Sequence, residues 1–318
     1  MVDFYREDIL GNGFEQRAIE LRADYEGEAV AALVRRLCDG QQQDKAILYI
    51  HGFNDYFFQS EMAHWFNRNG FNFYAIDLRK YGRAYMSHQK FNDIRNLKDY
   101  YEEITAALSL IRSEGNKETV LMGHSTGGLI VTLYAKDNPQ SLLYDGVVLN
   151  SPFFDFNLSK PVKFFLPVIA WLGKYFPKIK ISGGFSEKYG ESIHKDYGGE
   201  WEYNLLWKPN VAPKINIGWL RAIYEGQREL NNDFEIAKPV LVLHSLKSVG
   251  DLSDPLQVTS RDAILDVEDI KRIACNIESD VQITAIPGGL HDLVLSARAA
   301  RTEVYNVIES WLNKKNLY

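Results

Sequence analysis

Apolar and polar residues change rhythm in blocks along this chain, and the blocks predict strands and helices in succession. Arg17–Arg22 and Glu28–Leu37 read as two early strands joined around Asp24-Tyr25-Glu26-Gly27, a hairpin signal. Three short apolar runs follow, Ala46–Ile50, Phe71–Ile76 and Thr119–Met122, each of strand length. Between them the pattern turns helical. One helix lies within Tyr56–Asn69, and a longer one spans Leu97–Ser113, with Leu97, Ile104, Leu108 and Ile111 spaced for one face. Gly146–Leu149, Pro239–Leu243 and Val281–Ile286 supply three further strands. A last helix covers about Ala297 to Leu312, where Val304, Val307, Ile308 and Trp311 share a stripe.

Strands that alternate with helices imply a mostly parallel sheet covered on both faces. The alternation breaks once, between Ser151 and roughly Asn232. That stretch holds Pro161, Pro167, Pro177, Pro209 and Pro213, and 16 of the chain's 41 aromatics fall between Phe153 and Tyr224. A connection this long and this apolar should carry structure of its own. The expected organisation is a core of residues 1–150, a cap inserted at 151–235, and the rest of the core at 236–318.

At 318 residues, with 46% apolar and 25% charged, the chain is a globular protein large enough for a substantial core. A net charge of −6 argues against a nucleic-acid binder, which needs a basic face. Cys38 and Cys275 stand far apart without metal-ligand spacing, so two buried free thiols are expected. The N-terminal residues carry acids where a signal peptide needs an apolar run, and the apolar stretch Phe164–Leu172 is too short to cross a bilayer. The expectation is a cytoplasmic protein without a transmembrane segment, with transient contact at a membrane surface left open.

The central motif is Gly123-His124-Ser125-Thr126-Gly127, followed by Gly128. It comes directly after the strand run Thr119–Met122 and directly before a helical stretch, Leu129–Lys136, which is the setting of a nucleophile elbow. A strand turning straight into a helix strains the serine backbone and crowds the positions two before and two after it, so both are glycine. The plainer alternative is a glycine-rich turn whose serine only caps the helix. An ester carbonyl attacked by Ser125 needs two N–H donors for its oxyanion. Thr126, next after the serine, supplies one. The loop His51-Gly52-Phe53-Asn54-Asp55, after the strand Ala46–Ile50, supplies the other through Phe53, while His51 braces that loop.

On these residues the chain resembles the capped serine hydrolases of the bacterial lysophospholipase and monoacylglycerol lipase type. The resemblance runs nearly end to end through LGNGFEQRAIEL, YIHGFNDY, AIDLRKYGRA, GHSTGG, EWEYNLLWKP with GWLRAI, and IPGGLHDLVLS. It implies an α/β-hydrolase fold and a Ser-His-Asp triad. In that fold the order is Ser, then acid, then His. Of seven histidines only His291 follows the last predicted strand and precedes the last helix, with Gly288-Gly289 freeing its loop.

The acid is less direct, because a polar stretch from Ser245 to Ser260 follows the strand where the family carries it. Asp251, Asp254, Asp262 and Asp266 fall in or near it. Asp262-Ala263-Ile264-Leu265-Asp266 is similar to the family's D-x-x-V-D, whose first aspartate is catalytic. Asp262 is therefore the choice and Asp251 its rival. Asp266 then fits as N-cap of a helix over Val267–Ile277, with Asp269 at its third position.

The implied chemistry is hydrolysis of an acyl ester through an acyl-enzyme, with no cofactor and no metal, since no histidine pair has ligand spacing. Arg79-Lys80-Tyr81-Gly82-Arg83 reads as a solvated or sheet-edge structural loop sooner than a phosphate site, and Asp99 with Glu102-Glu103 as an exposed helix face. From Ser151 to Tyr224 ten Lys or Arg face six Asp or Glu. An apolar tunnel under a mildly basic cap suits an acyl chain or an amphiphile with an anionic head, and the aromatics equally suit the cap's own core. Lysophospholipids, monoacylglycerols and similar esters are the favoured small-molecule substrates. An aminopeptidase or thioesterase on the same scaffold, and a non-catalytic receptor, are the alternatives.

Overall fold

A computed structural model describes residues 4–39, 44–183 and 186–318. Its centre is a nine-stranded sheet. In chain order the first strands are β1 (Arg6–Glu7), β2 (Glu15–Asp24), β3 (Gly27–Arg36), β4 (Lys45–Ile50), β5 (Asn72–Asp77), β6 (Glu118–His124) and β7 (Gly146–Asn150). Two short strands, β8 (Lys180–Ile181) and β9 (Ile215–Asn216), pair with each other away from this sheet. After β10 (Phe234–Glu235), the strand β11 (Val240–Ser245) returns to it. β12 (Ile277–Glu278) pairs with β10, and β13 (Val281–Ile286) is the last strand of the main sheet. The order across it is β1-β2-β3-β5-β4-β6-β7-β11-β13. The hairpin β2–β3 and the β3–β5 pair are antiparallel, and every pair from β5 to β13 is parallel.

The parallel strands are apolar on both faces because both are covered. Ala46, Leu48 and Ile50 of β4 enter one core, which also takes Ile104, Leu108 and Ile111 of α2 (Tyr101–Ser113), Leu129 and Leu133 of α3 (Thr126–Asp137), and Ile270 and Ile273 of α8 (Val267–Ala274). Ile47 and Tyr49 alternate to the other core, with Met62 and Phe66 of α1 (Ser60–Arg68) and Val304, Ile308 and Trp311 of α9 (Arg298–Lys314). The period of two along a strand thus sorts one sequence run into two layers.

Between β7 and β11 the chain leaves the sheet. This inserted segment carries α4 (Lys160–Tyr175), α5 (Glu187–Ile193) and α6 (Ile217–Arg228) together with the β8–β9 pair. A four-residue helix, α7 (Pro255–Val258), stands in the polar stretch after β11. Among the described residues no helix is long and apolar enough to cross a membrane.

Four expectations change. Leu97–Tyr100 is a separate 3-10 turn ahead of α2. α8 stops at Ala274, and Ile277 instead pairs with Phe234 in β12–β10; the N-cap stands as expected, with Asp266 accepting from the Glu268 N–H at 3.0 Å. The acidic pair on α2 is no exposed face: Glu103 is buried and holds Arg79 at 2.6 Å, while Glu102 takes the same guanidinium at 2.9 Å. The whole basic run is internally neutralised, with Lys80 on Asp24 and Glu26, and Arg83 on Asp8 and Asp77. Buried ions need partners, and these runs find them across loops that polarity alone renders as surface. Finally, Cys38 is only partly buried and Cys275 is exposed.

Candidate active site

Ser125 sits between β6 and α3 at φ 52° and ψ −117°, a strained conformation for a residue with a side chain. The two flanking glycines permit it for separate reasons. A Cβ on Gly123 would lie 2.5 Å from the Gly127 carbonyl oxygen, and one on Gly127 would lie 2.4 Å from the carbonyl oxygens of Ile50 and His51. The second contact is with the end of β4, so the elbow is also wedged against the loop that follows that strand. The Ser125 N–H donates to the Asn150 carbonyl at 3.0 Å, tying the bend to β7.

The structure brings Ser125, His291 and Asp262 together. His291 Nε2 is 2.9 Å from Ser125 Oγ, and His291 Nδ1 is 3.0 Å from Asp262 Oδ2. All three side chains are buried. Asp262 Oδ1 accepts from the backbone N–H groups of Ile264 and Leu265, each at 2.8 Å, which fixes the carboxylate. Its position depends on a detour. The chain leaves the end of β11, runs out through α7, and returns so that Asp262 bridges Ser248; the Asp262 N–H donates to the Lys247 carbonyl and the Val249 N–H to that of Asp262. Asp251 lies out on the detour, exposed and bonded to Ser253.

Phe53 and Thr126 line the same pocket as Ser125 and His291. Thr126 is the first residue of α3, so its N–H has no partner within the helix. His51 braces the loop before Phe53. Its Nε2 accepts from the Leu78 N–H at 3.1 Å, which leaves the proton on Nδ1, 2.7 Å from the Gly52 carbonyl oxygen. The other pocket walls come largely from the inserted segment, including Tyr189, Tyr203, Lys208 and Asn210, with Phe153, Ile264 and Leu265 making an apolar side.

Several groups at the site were not anticipated. Asp292 accepts from the Asn150 amide at 2.7 Å and the Gln59 amide at 3.1 Å, and its own N–H donates to the Tyr189 hydroxyl at 3.0 Å; together these hold the loop of His291. His124 packs its ring 4.8 Å from that of His291, and burial depresses its pKa below the ordinary imidazole value. Asp55, two residues beyond Phe53, is buried and faces Lys208 of the inserted segment at 2.9 Å. Asp55, His124 and Asp292 gather ligand-type atoms within 4.8 Å of one another. The Lys208 ammonium already supplies a cation there, and two of the three groups are engaged as described, so the cluster does not fit a metal site. Asp55 closes the loop His51–Asp55 in the sequence, but nothing local marked it as buried or pointed to Lys208, 153 residues on.

A strained serine, an imidazole and a carboxylate set at the ends of parallel strands define a serine hydrolase of the α/β-hydrolase fold. The profile of the serine aminopeptidase S33 hydrolases matches residues 41–296, and the chain belongs to that family. No curated protein matches the sequence. Among solved structures, a soluble variant of monoglyceride lipase from Saccharomyces cerevisiae, in complex with a substrate analogue, is similar at a TM-score of 0.67 and 18% identity, over 94% of this chain and 96% of that one. A monoacylglycerol lipase from Paleococcus ferrophilus is similar at 0.64 and 19%, over 95% and 99%. Est1E from Butyrivibrio proteoclasticus with ferulic acid bound gives 0.58 and 15%, over 99% and 100%. At these identities the likeness is one of fold.

Proposed function

We propose that this protein hydrolyses carboxylic esters of acyl chains, such as monoacylglycerols or lysophospholipids, with Ser125 as nucleophile, His291 as base and Asp262 as its orienting acid. The observation that carries the choice of ester over peptide is the Asp55–Lys208 pair. An aminopeptidase needs a carboxylate free to hold the substrate's ammonium. Among the described residues Asp55 is the acid lining the pocket, and Lys208 neutralises it at 2.9 Å. A neutral or anionic polar head beside apolar Phe153, Ile264 and Leu265 suits this surface better than an amine.

In the reaction His291 Nε2 takes the hydroxyl proton as Ser125 Oγ attacks the acyl carbon, and the Phe53 and Thr126 N–H groups receive the oxyanion. Asp262 holds the proton on Nδ1 and stabilises the imidazolium. The alcohol leaves with the proton from His291, and water then releases the acid from Ser125. In this reading residues 151–235 act as a cap that closes the acyl site. A reducing, cytoplasmic setting fits the two unpaired thiols, Cys38 and Cys275.

The test is a substrate panel of p-nitrophenyl esters of rising chain length, monoolein, lysophosphatidylcholine and amino-acid amides. Turnover of the longer esters above acetyl is the expected result. Preference for acetyl contradicts the lipid reading, and turnover of amino-acid amides with none of the esters contradicts the ester reading.

A further inference from the structure

Of 22 exposed large apolar side chains among the described residues, nine lie between Val162 and Ile179, on and just after α4. The inward side of α4 packs on α6 and is only part of its surface. Its other face is turned to solvent, with Phe164 77% and Trp171 56% exposed, and every exposed position from Pro161 to Leu172 is apolar. A helix that left this much aromatic surface in water would be disfavoured, so the face has a use.

Along the segment that carries it, the charges have one sign. No Asp or Glu occurs from Phe156 to Ser186. Lys163 points inward and is held by Asp155 and Asp269 at 2.9 and 3.0 Å. Lys160, Lys174, Lys178 and Lys180 are exposed and make no ion pair with any described residue. A two-fold contact with a second copy would set this patch against itself and bring lysines to lysines. An anionic bilayer accepts both parts at once: aromatic and aliphatic side chains enter the interfacial zone while lysines reach the head groups.

We infer that the outward face of α4, with Phe164, Phe165, Val168 and Trp171 inserting and Lys160, Lys174 and Lys178 at its rim, docks the protein on an anionic lipid surface. The docked helix and the pocket belong to one inserted segment: α4 lies on α6, and Trp219 of α6 packs 4.5 Å from Phe53. This inference goes beyond the substrate reading and does not need it.

Sedimentation of the whole chain with vesicles tests it, using phosphatidylcholine alone and phosphatidylcholine with about one third phosphatidylglycerol. Binding to the anionic vesicles is expected to be at least about tenfold tighter than to the neutral ones and to weaken as salt is added. The variant Phe164→Ser/Trp171→Ser should lose at least about tenfold in that binding while keeping the wild-type circular dichroism and melting temperature, because both side chains point outward. Absence of sedimentation with either vesicle, equal binding to both without salt dependence, or full binding by the double variant would each overturn it. So would a concentration-dependent dimer in light scattering that the double variant abolishes, without vesicle binding.

Discussion

Lys208, carried on the inserted segment, stands 2.9 Å from Asp55 on the loop that holds Phe53. The contact has company on either side. The Asn54 amide donates to the Pro209 carbonyl at 2.8 Å, and the Tyr56 hydroxyl accepts from the Asn204 N–H at 2.7 Å. Three successive loop residues are thus fastened to a short piece of the insertion, so the loop's geometry depends on where that piece lies.

The pair is nearly dry, with side-chain exposures of 12% for Lys208 and 1% for Asp55. Removing one partner strands a buried charge, which costs about 3 kcal/mol. Lys208→Met is expected to lower stability by that order in urea unfolding, and Lys208→Met/Asp55→Asn to recover most of it. A double variant no more stable than Lys208→Met would show that the pair does not act as a unit.

The acid can be tested against its rival. Ser125→Ala is expected to reduce ester turnover by about 10⁶, and Asp262→Asn by about 10⁴ through the wrong imidazole tautomer. Asp251→Asn should stay close to wild type, since Asp251 is exposed and its carboxylate accepts only from Ser253 among the described residues. The reverse order for the two aspartates would move the acid to Asp251.

Asp269 ties α8 to α4 through Lys163 and also takes Arg272 at 2.8 Å. Burial raises its pKa, but the hydrogen bonds from Arg272 and Lys163 outweigh this and hold it below the ordinary carboxylate value. A folded-state pKa below that of the unfolded chain stabilises the protein above about pH 3.9 and stops doing so as pH falls through the lower folded value. The melting-temperature gap between wild type and Asp269→Asn should therefore be widest near neutrality and close in acid. A gap that widens as pH drops would contradict the assignment.

Local pattern carried the parallel sheet, because buried strands are short apolar runs and their helices keep a 3.6 period. β1 escaped notice because two paired residues, Arg6 and Glu7, have no periodicity to read. Glu103 and Arg79 looked like surface because each is polar in its own window, and only the tertiary fold joins them. Ser125 and His291 were legible from the elbow and from the loop between the last strand and helix. Asp262 needed the resemblance, since the detour through α7 hides its return to the end of β11. The apolar run Phe164–Leu172 was visible as composition, but the outward direction of its aromatics follows from α4 packing on α6, which sequence spacing does not show.

A fluorophosphonate probe reads the reactivity of the Ser125 hydroxyl directly. After treatment of the intact protein, mass spectrometry should find a single phosphonyl adduct on the peptide containing Ser125, with none on Ser125→Ala. An unlabelled wild type, or an adduct that persists in Ser125→Ala, would rule out Ser125 as the nucleophile.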